Sequence, residues 1–250
     1  MLNGMLFSLD TKGALDYTEH DIISHNLLKT TEVWRMTALE WVQRSKIIAI
    51  VRGLPKEYMT RLAEALYAGG IDLMEVTFHQ QHPETWKDTA AAIAAVDRCM
   101  SSKMLVGAGT VLTREQLDMA RDAGAQYIIT PNTNCDLIRL VKEYGLLSFP
   151  GAFTPSEIVQ AYEAGADAVK VFPAGNLGPA YIKAIKAPLS HIPLMAVGGV
   201  NEKNAADFIA AGCCGIGVGG NLVNKSWIEA GEWDKITELA QAYRKEMNGK

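Results

Sequence analysis

A recurring pair of residues constrains this chain more than anything else in it. Ala68-Gly69, Ala123-Gly124, Ala164-Gly165 and Ala211-Gly212 each close a helical stretch just before a short apolar run. Glycine takes the left-handed helix-stop conformation without a Cβ penalty, so the recurrence marks one junction used again and again. From Ile47 onward, short apolar runs alternate with helical patterns, which is the rhythm of a parallel sheet with crossover helices. Eight runs fit strands, at 47–51, 73–78, 104–110, 127–131, 146–150, 168–173, 194–198 and 215–219. Helical stretches fall between them, among them 56–68, 114–123, 155–164, 179–185 and 202–211, with a last helix at 232–247. The expected fold class is α/β, a single (β/α)8 TIM barrel over residues 36–250, whose 250-residue chain matches the usual size of about 250. Residues 1–35 lack this rhythm and are expected to be a disordered extension or translation from an upstream start; no function is assigned to them.

Composition narrows the classes. A net charge of −4 offers no basic face, which argues against a nucleic-acid partner. No run approaches the ~18 apolar residues of a membrane span, and the start lacks the basic and apolar regions of a secretory signal, so neither membrane nor secretion is expected. Cys99, Cys135, Cys213 and Cys214 show no metal or disulfide spacing and suit free thiols in a reducing cytoplasm. Cys135 lies just past a strand end and could approach a site, although an incidental thiol is the commoner case.

Chemistry in such barrels collects at the C-terminal ends of strands. Those ends carry Arg52, then Glu75 and Thr77, then Gly107-Ala-Gly-Thr110, Thr130-Pro-Asn132 and Pro150-Gly-Ala152. They continue with Lys170 and Phe172, Gly198-Gly199, and Gly217-Val-Gly-Gly-Asn221. Lys170 sits in the apolar run Asp167-Ala-Val-Lys-Val-Phe-Pro173, where strand alternation turns Ala168, Lys170 and Phe172 to one side. In isolation such a lysine is most often salt-bridged or snorkelling. A desolvated lysine, however, resists protonation, and a neutral amine attacks ketones to form a Schiff base. Glu75, turned inward with Thr77, would move protons for that chemistry or merely neutralise Lys170 or Arg52. The glycines of the last two strand ends, Gly198, Gly199, Gly219 and Gly220, with Asn221, form the usual phosphate place of the fold. His79-Gln-Gln-His82 has a spacing compatible with a metal, but no third ligand type completes it, and His79 could instead touch a substrate anion.

With these residues assembled, the chain resembles the 2-keto-3-deoxy-6-phosphogluconate (KDPG) and 4-hydroxy-2-oxoglutarate (KHG) aldolase family. The resemblance runs from about Ile47 to Ala242. It rests on Met74-Glu-Val-Thr-Phe78, Val106-Gly-Ala-Gly-Thr110, Thr130-Pro131, Phe149-Pro-Gly151, Val169-Lys-Val-Phe-Pro173, Gly198-Gly-Val200 and Gly217-Val-Gly219. It implies a cytoplasmic class I aldolase, usually a homotrimer, in which a lysine imine takes the place of a metal and no cofactor is needed. Lys170 resembles the Schiff-base lysine and Glu75 the acid/base. Arg52 and Thr110 resemble groups that hold the pyruvate carboxylate, and Pro131 and Phe172 the apolar walls around the amine. The implied reaction is reversible cleavage of a 2-keto-3-deoxy-6-phosphosugar acid to pyruvate and glyceraldehyde 3-phosphate, with 4-hydroxy-2-oxoglutarate as a further substrate.

Five positions depart from the KDPG pattern. His79 replaces an arginine, and Ala196-Val197 replaces Pro-Thr. Gly220 stands in place of a serine, and Gly175 in place of a frequent acidic residue. Ala196-Val-Gly-Gly199 and Thr130-Pro-Asn132 resemble the phosphogalactonate (KDPGal) branch, so the expectation is a phosphogluconate aldolase with loosened selectivity at C4, the galacto enzyme being the alternative. The competing readings are another phosphate-binding barrel, such as a sugar-phosphate epimerase or a thiamin-phosphate synthase type, and a catalytically silent barrel used for binding.

Overall fold

The computed structural model describes residues 38–101 and 103–248; the expected extension at 1–35 lies outside them. Helix α1 (Ala38–Ser45) leads into strand β1 (Ile47–Arg52). There follow α2 (Met59–Ala68), β2 (Leu73–Thr77), α3 (Trp86–Met100), β3 (Leu105–Gly109), α4 (Arg114–Asp122), β4 (Tyr127–Ile129) and α5 (Cys135–Glu143). The chain continues through β5 (Leu147–Phe149), β6 (Gly151–Ala152), α6 (Pro155–Glu163), β7 (Val169–Val171), α7 (Ala174–Lys186), β8 (Leu194–Val197) and α8 (Ala205–Ala210). It finishes with β9 (Gly215–Val218), α9 (Lys225–Glu229) and α10 (Trp233–Asn248).

All pairings are parallel, in the order β5-β4-β3-β2-β1-β9-β8-β7-β6. The two ends of that order are one strand interrupted at Pro150, which has no N–H to give a ladder. β5 pairs with β4 and β6 with β7, so the break is where the barrel closes. The Pro150 carbonyl still takes part, accepting from Lys170 N–H at 2.8 Å, and Ala152 accepts from Phe172 N–H at 3.0 Å. Below the break, Asp167 joins the seam through its side chain, held by Lys142 at 2.6 Å and accepting from Ser148 N–H at 2.8 Å.

Alternation along each strand sorts side chains into two compartments. Ile47, Ala49, Val51, Met74, Val76, Val106, Ala108, Val169, Val171, Ile216 and Val218 pack outward with the helices in one hydrophobic cluster. Ile48, Leu73, Tyr127, Phe149 and Met195 are equally buried but stand outside that cluster and fill the barrel.

Among the described residues the helix stop ahead of a strand recurs five times. Gly70, Gly124, Gly145, Gly165 and Gly212 are all left-handed, each followed by a residue whose N–H reaches back into the last helical turn. At the first stop the left-handed residue is Gly70 rather than Gly69, because Gly69 is pressed against Ala240 of α10. α8 is shorter than its sequence pattern: Asn201 and Asn204 form a side-chain turn ahead of it, with Asn204 Oδ1 accepting from Asn201 N–H at 2.8 Å. α7 begins at Ala174, before Pro179, but is broken at Gly178 (φ 74°, ψ 168°), which lets Pro179 open its second half. No helix among the described residues is long and apolar enough to cross a membrane.

Candidate active site

The C-terminal ends of the strands surround a cavity of about 1030 Å³. Its lining includes Arg52, Glu75, Thr110, Pro131, Lys170, Phe172, Val197, Gly198, Gly199, Gly219, Gly220 and Asn221, so the structure brings together every residue singled out from the strand ends for catalysis or binding. It also includes residues that sequence reasoning passed over: Ile50, Gly53, Leu54, Asn201, Asn224 and Lys225. A second cavity of about 690 Å³ lies between the loops after β1 and β2 and shares Arg52, Gly53, Leu54, His79 and Thr110 with the first.

Lys170 is 8% exposed and Glu75 is 1% exposed. Burial holds the Lys170 amine below the ordinary lysine range; the Glu75 charge opposes that shift and the Arg52 charge reinforces it. Burial likewise holds the Glu75 carboxyl above its ordinary range, against the pull of Lys170 and Arg52. The two groups are thus driven toward a neutral amine and a neutral acid, while their mutual attraction favours the ion pair. Lys170 Nζ lies 4.9 Å from the centre of the Phe172 ring, and that ring packs on Gly198, where a Cβ would come within 2.9 Å of it.

Strand β3 supplies the seat for Glu75. Gly107 and Gly109 face the barrel interior; a Cβ on Gly109 would overlap the Glu75 carboxylate, and one on Gly107 would overlap the Tyr127 ring. The glycines of Val106-Gly-Ala-Gly-Thr110 are therefore notches for two large interior side chains. Glu75 Oε2 and Thr77 Oγ1 are buried without a hydrogen-bond partner among the described residues. Unpaired buried polar atoms are costly unless a ligand or water completes them.

The loops after β8 and β9 differ from each other. Gly198 (φ 85°) and Gly199 (φ 78°) are left-handed, and Gly175 packs backbone to backbone on Gly199, with Gly175 N–H donating to Gly198 O at 2.7 Å. A side chain at 175 would collide with that turn. Gly219 and Gly220 face open space, and added side chains there would meet nothing. The Asn221 side chain is already engaged, its Nδ2 donating to Glu202 at 2.5 Å and to Tyr243 at 2.7 Å. That leaves the backbone of 219–221 as the free donor set. Lys225 makes no hydrogen bond or ion pair among the described residues, and its Nζ lies 3.6 Å from where a Gly53 Cβ would stand. Following the strand-end reading four residues past Asn221 would have found it.

The histidine pair finds no completing ligand set among the described residues. The His79 and His82 rings are 4.6 Å apart, His82 Nδ1 contacts Glu84 at 2.9 Å, and no group of three or more His, Cys, Asp or Glu among the described residues is placed to hold a metal ion. His79 nevertheless lines both cavities. Cys135 is the first residue of α5, outside either cavity lining, with its thiol toward Gln160 O at 3.8 Å. The four cysteines are unbridged, and burial pushes the Cys213 thiol up to about 12.

An enclosed lysine and carboxylate at the strand ends of a parallel barrel, beneath two glycine turns, define a class of carbonyl-handling barrel enzymes. The model of the KDPG and KHG aldolase family matches residues 39–239. A 2-dehydro-3-deoxy-6-phosphogalactonate aldolase of Escherichia coli is 38% identical over 207 residues, covering 82% of this chain and 98% of that one. A 2-dehydro-3-deoxy-phosphogluconate aldolase of Treponema pallidum is 35% identical, covering 82% and 95%. A solved KDPG aldolase from Legionella pneumophila, with pyruvate captured as a covalent carbinolamine intermediate, superposes with a TM-score of 0.75, with 28% identity over 84% of this chain and 99% of its own. The chain belongs to the KDPG and KHG aldolase family. It is an aldolase, a carbon–carbon lyase.

Proposed function

We propose that the enzyme cleaves 2-keto-3-deoxy-6-phosphosugar acids to pyruvate and glyceraldehyde 3-phosphate through an imine on Lys170, accepting both the gluco and the galacto configuration at C4. The observation that carries the imine is a lysine 8% exposed inside the cavity, next to a carboxylate that is more buried still. The carbinolamine captured in the Legionella relative supports the same chemistry. The Lys170 amine attacks the C2 ketone, and the carbinolamine loses water to give a protonated imine. Glu75 takes the C4 hydroxyl proton as the C3–C4 bond breaks, and the electron pair of that bond flows into the imine. The aldehyde leaves, Glu75 returns a proton to C3 of the enamine, and hydrolysis frees pyruvate and the lysine.

Arg52 and Thr110 are assigned to the carboxylate, and Pro131 and Phe172 to the walls that keep water from the amine. The backbone of Gly198, Gly199, Gly219, Gly220 and Asn221 is assigned to the phosphate, with Lys225 as a nearby cation. The phosphogalactonate and phosphogluconate names of the relatives both fit this scheme, and 4-hydroxy-2-oxoglutarate would enter as a shorter substrate. Substrates are small molecules, and a homotrimer is the assembly expected of this family.

Val197 carries the reading at C4. It is buried in the cavity wall beside Gly217 and offers only methyl groups. An apolar wall discriminates poorly between hydroxyl configurations, whereas a hydrogen-bonding residue discriminates strongly. The test has two parts. Borohydride reduction in the presence of pyruvate should leave a pyruvyl adduct on Lys170, and its absence would sink the imine. The kcat/KM values for the two C4 epimers should lie within about 100-fold of each other, and a ratio above about 10⁴ in either direction would sink the loosened selectivity.

A further inference from the structure

Thr110 stands just past β3 in the left-handed region, at φ 56°. A β-branched residue holds that conformation only where its surroundings impose it. The surroundings here are two amide side chains in series. The Thr110 carbonyl accepts from Gln80 Nε2 at 2.5 Å, and Gln80 Oε1 accepts from Gln116 Nε2 at 3.0 Å. Gln116 Oε1 accepts in turn from Leu112 N–H at 2.7 Å and Thr113 N–H at 3.2 Å. Gln116 is fully buried and sits in the first turn of α4, where the Thr113 hydroxyl caps its N–H. The chain of bonds thus runs from the start of α4, through the loop after β2, to the carbonyl that Thr110 carries on the far side of its left-handed turn, while Phe78 N–H holds the Gly109 carbonyl on the near side at 2.9 Å. The Thr110 N–H and hydroxyl have no partner among the described residues, and Thr110 lines the cavity.

We propose that Gln80 and Gln116 are positioning residues that hold Thr110 left-handed, so that its N–H and hydroxyl are presented together to the carboxylate of the keto acid. This rests on the assignment of Thr110 to that carboxylate. The relay needs an amide at each place, because each side chain must donate at one end and accept at the other. A relay of this kind sets how tightly pyruvate is held and leaves the Lys170 step itself untouched.

The experiment follows borohydride trapping of Lys170 against pyruvate concentration. Gln80→Met should raise the half-saturating pyruvate about tenfold while the trapping rate at saturation stays within about twofold. In a Thr110→Gly background, where the left-handed conformation costs nothing, Gln80→Met should add little, so the two substitutions are non-additive. If Gln80→Met does not fold, Gln80→Glu replaces it, since it keeps the acceptor for Gln116 and loses only the donor to Thr110. An unchanged half-saturation, or an undiminished effect in the Thr110→Gly background, would overturn the relay. Thr110→Gly binding pyruvate like the parent would overturn the carboxylate assignment and the relay with it. A parent enzyme that forms no adduct would overturn the imine.

Discussion

Gly109 is where this fold makes room for the carboxylate of Glu75, the proposed acid/base group, and replacing it tests that arrangement. Gly109 is not left-handed, so alanine fits the backbone, yet its methyl would stand where the Glu75 carboxylate now lies. The strand cannot retreat, since Gly109 pairs with Thr77 on one side and Ile129 on the other. Glu75 must therefore swing away. Overpacking a barrel interior by one methyl costs about 1–3 kcal/mol, offset by about 0.4–1 kcal/mol from the stiffer unfolded chain. The net loss of stability should be roughly 0–2.5 kcal/mol, too little to unfold a domain of this size. The loss in catalysis should be larger, because a misplaced general acid/base costs about 10²–10⁴ in kcat, or about 2.7–5.5 kcal/mol. Gly107→Ala is the control: it is the same change two residues back, pressing on the Tyr127 ring instead. Release of pyruvate from 2-keto-3-deoxy-6-phosphogluconate, coupled to lactate dehydrogenase, gives kcat, and urea unfolding gives stability. Comparable stability losses with kcat collapsing only for Gly109→Ala are expected. If Gly109→Ala keeps kcat within about threefold of the parent, Glu75 does not act from this seat.

The pH dependence of Lys170 follows from its neighbours. Acylation of Lys170 by a neutral reagent, followed by mass spectrometry, should rise through a midpoint below that of an ordinary lysine, since burial disfavours the ammonium form. Glu75→Gln removes a charge that favours the ammonium and should move the midpoint down; Arg52→Met removes a repulsion and should move it up. Opposite signs would show that Lys170 is not held between these two groups. At the other end of the cavity, Gly220 faces open space, so Gly220→Ser should fold like the parent and add a hydroxyl donor. It should lower KM for the phosphorylated substrate about two- to tenfold without changing that for 4-hydroxy-2-oxoglutarate, which has no phosphate. A shift of equal size for both substrates would remove the phosphate from this loop.

The barrel was legible in the sequence because its strands are short apolar runs and the helices before them are closed by glycine stops, both of which are local signals. The stop at Gly145 escaped because Tyr144-Gly145 lacks the Ala-Gly pair that marks the other four in the sequence. The interruption of the fifth strand was written in Pro150, but its meaning was not, since closure of a ring depends on which strands meet. Lys170, Glu75, Arg52 and Thr110 were legible from their place at strand ends. The fit of Glu75 against Gly109 was not, because the carboxylate leans along the sheet onto a residue of the next strand, a contact that no spacing within one strand encodes. The commitment of the Asn221 amide to Glu202 and Tyr243 was hidden for the same reason. Gln80 and Gln116 resemble ordinary loop and helix residues, and only the left-handed Thr110 at the end of their proposed relay gives them a purpose.

The break at Pro150 couples two properties that are usually separate. The hydrogen bonds that close the ring across the shortest strand pieces are donated by the backbone of Lys170 and of Phe172. Any excursion that parted this seam would carry the amine out of its apolar surroundings and let water reach it. The lysine would then be an ordinary ammonium, unable to attack a ketone. If Lys170 forms the proposed imine, hydrogen exchange at its amide reports reactivity as well as local opening: a molecule momentarily unzipped at its thinnest link is also momentarily not an enzyme.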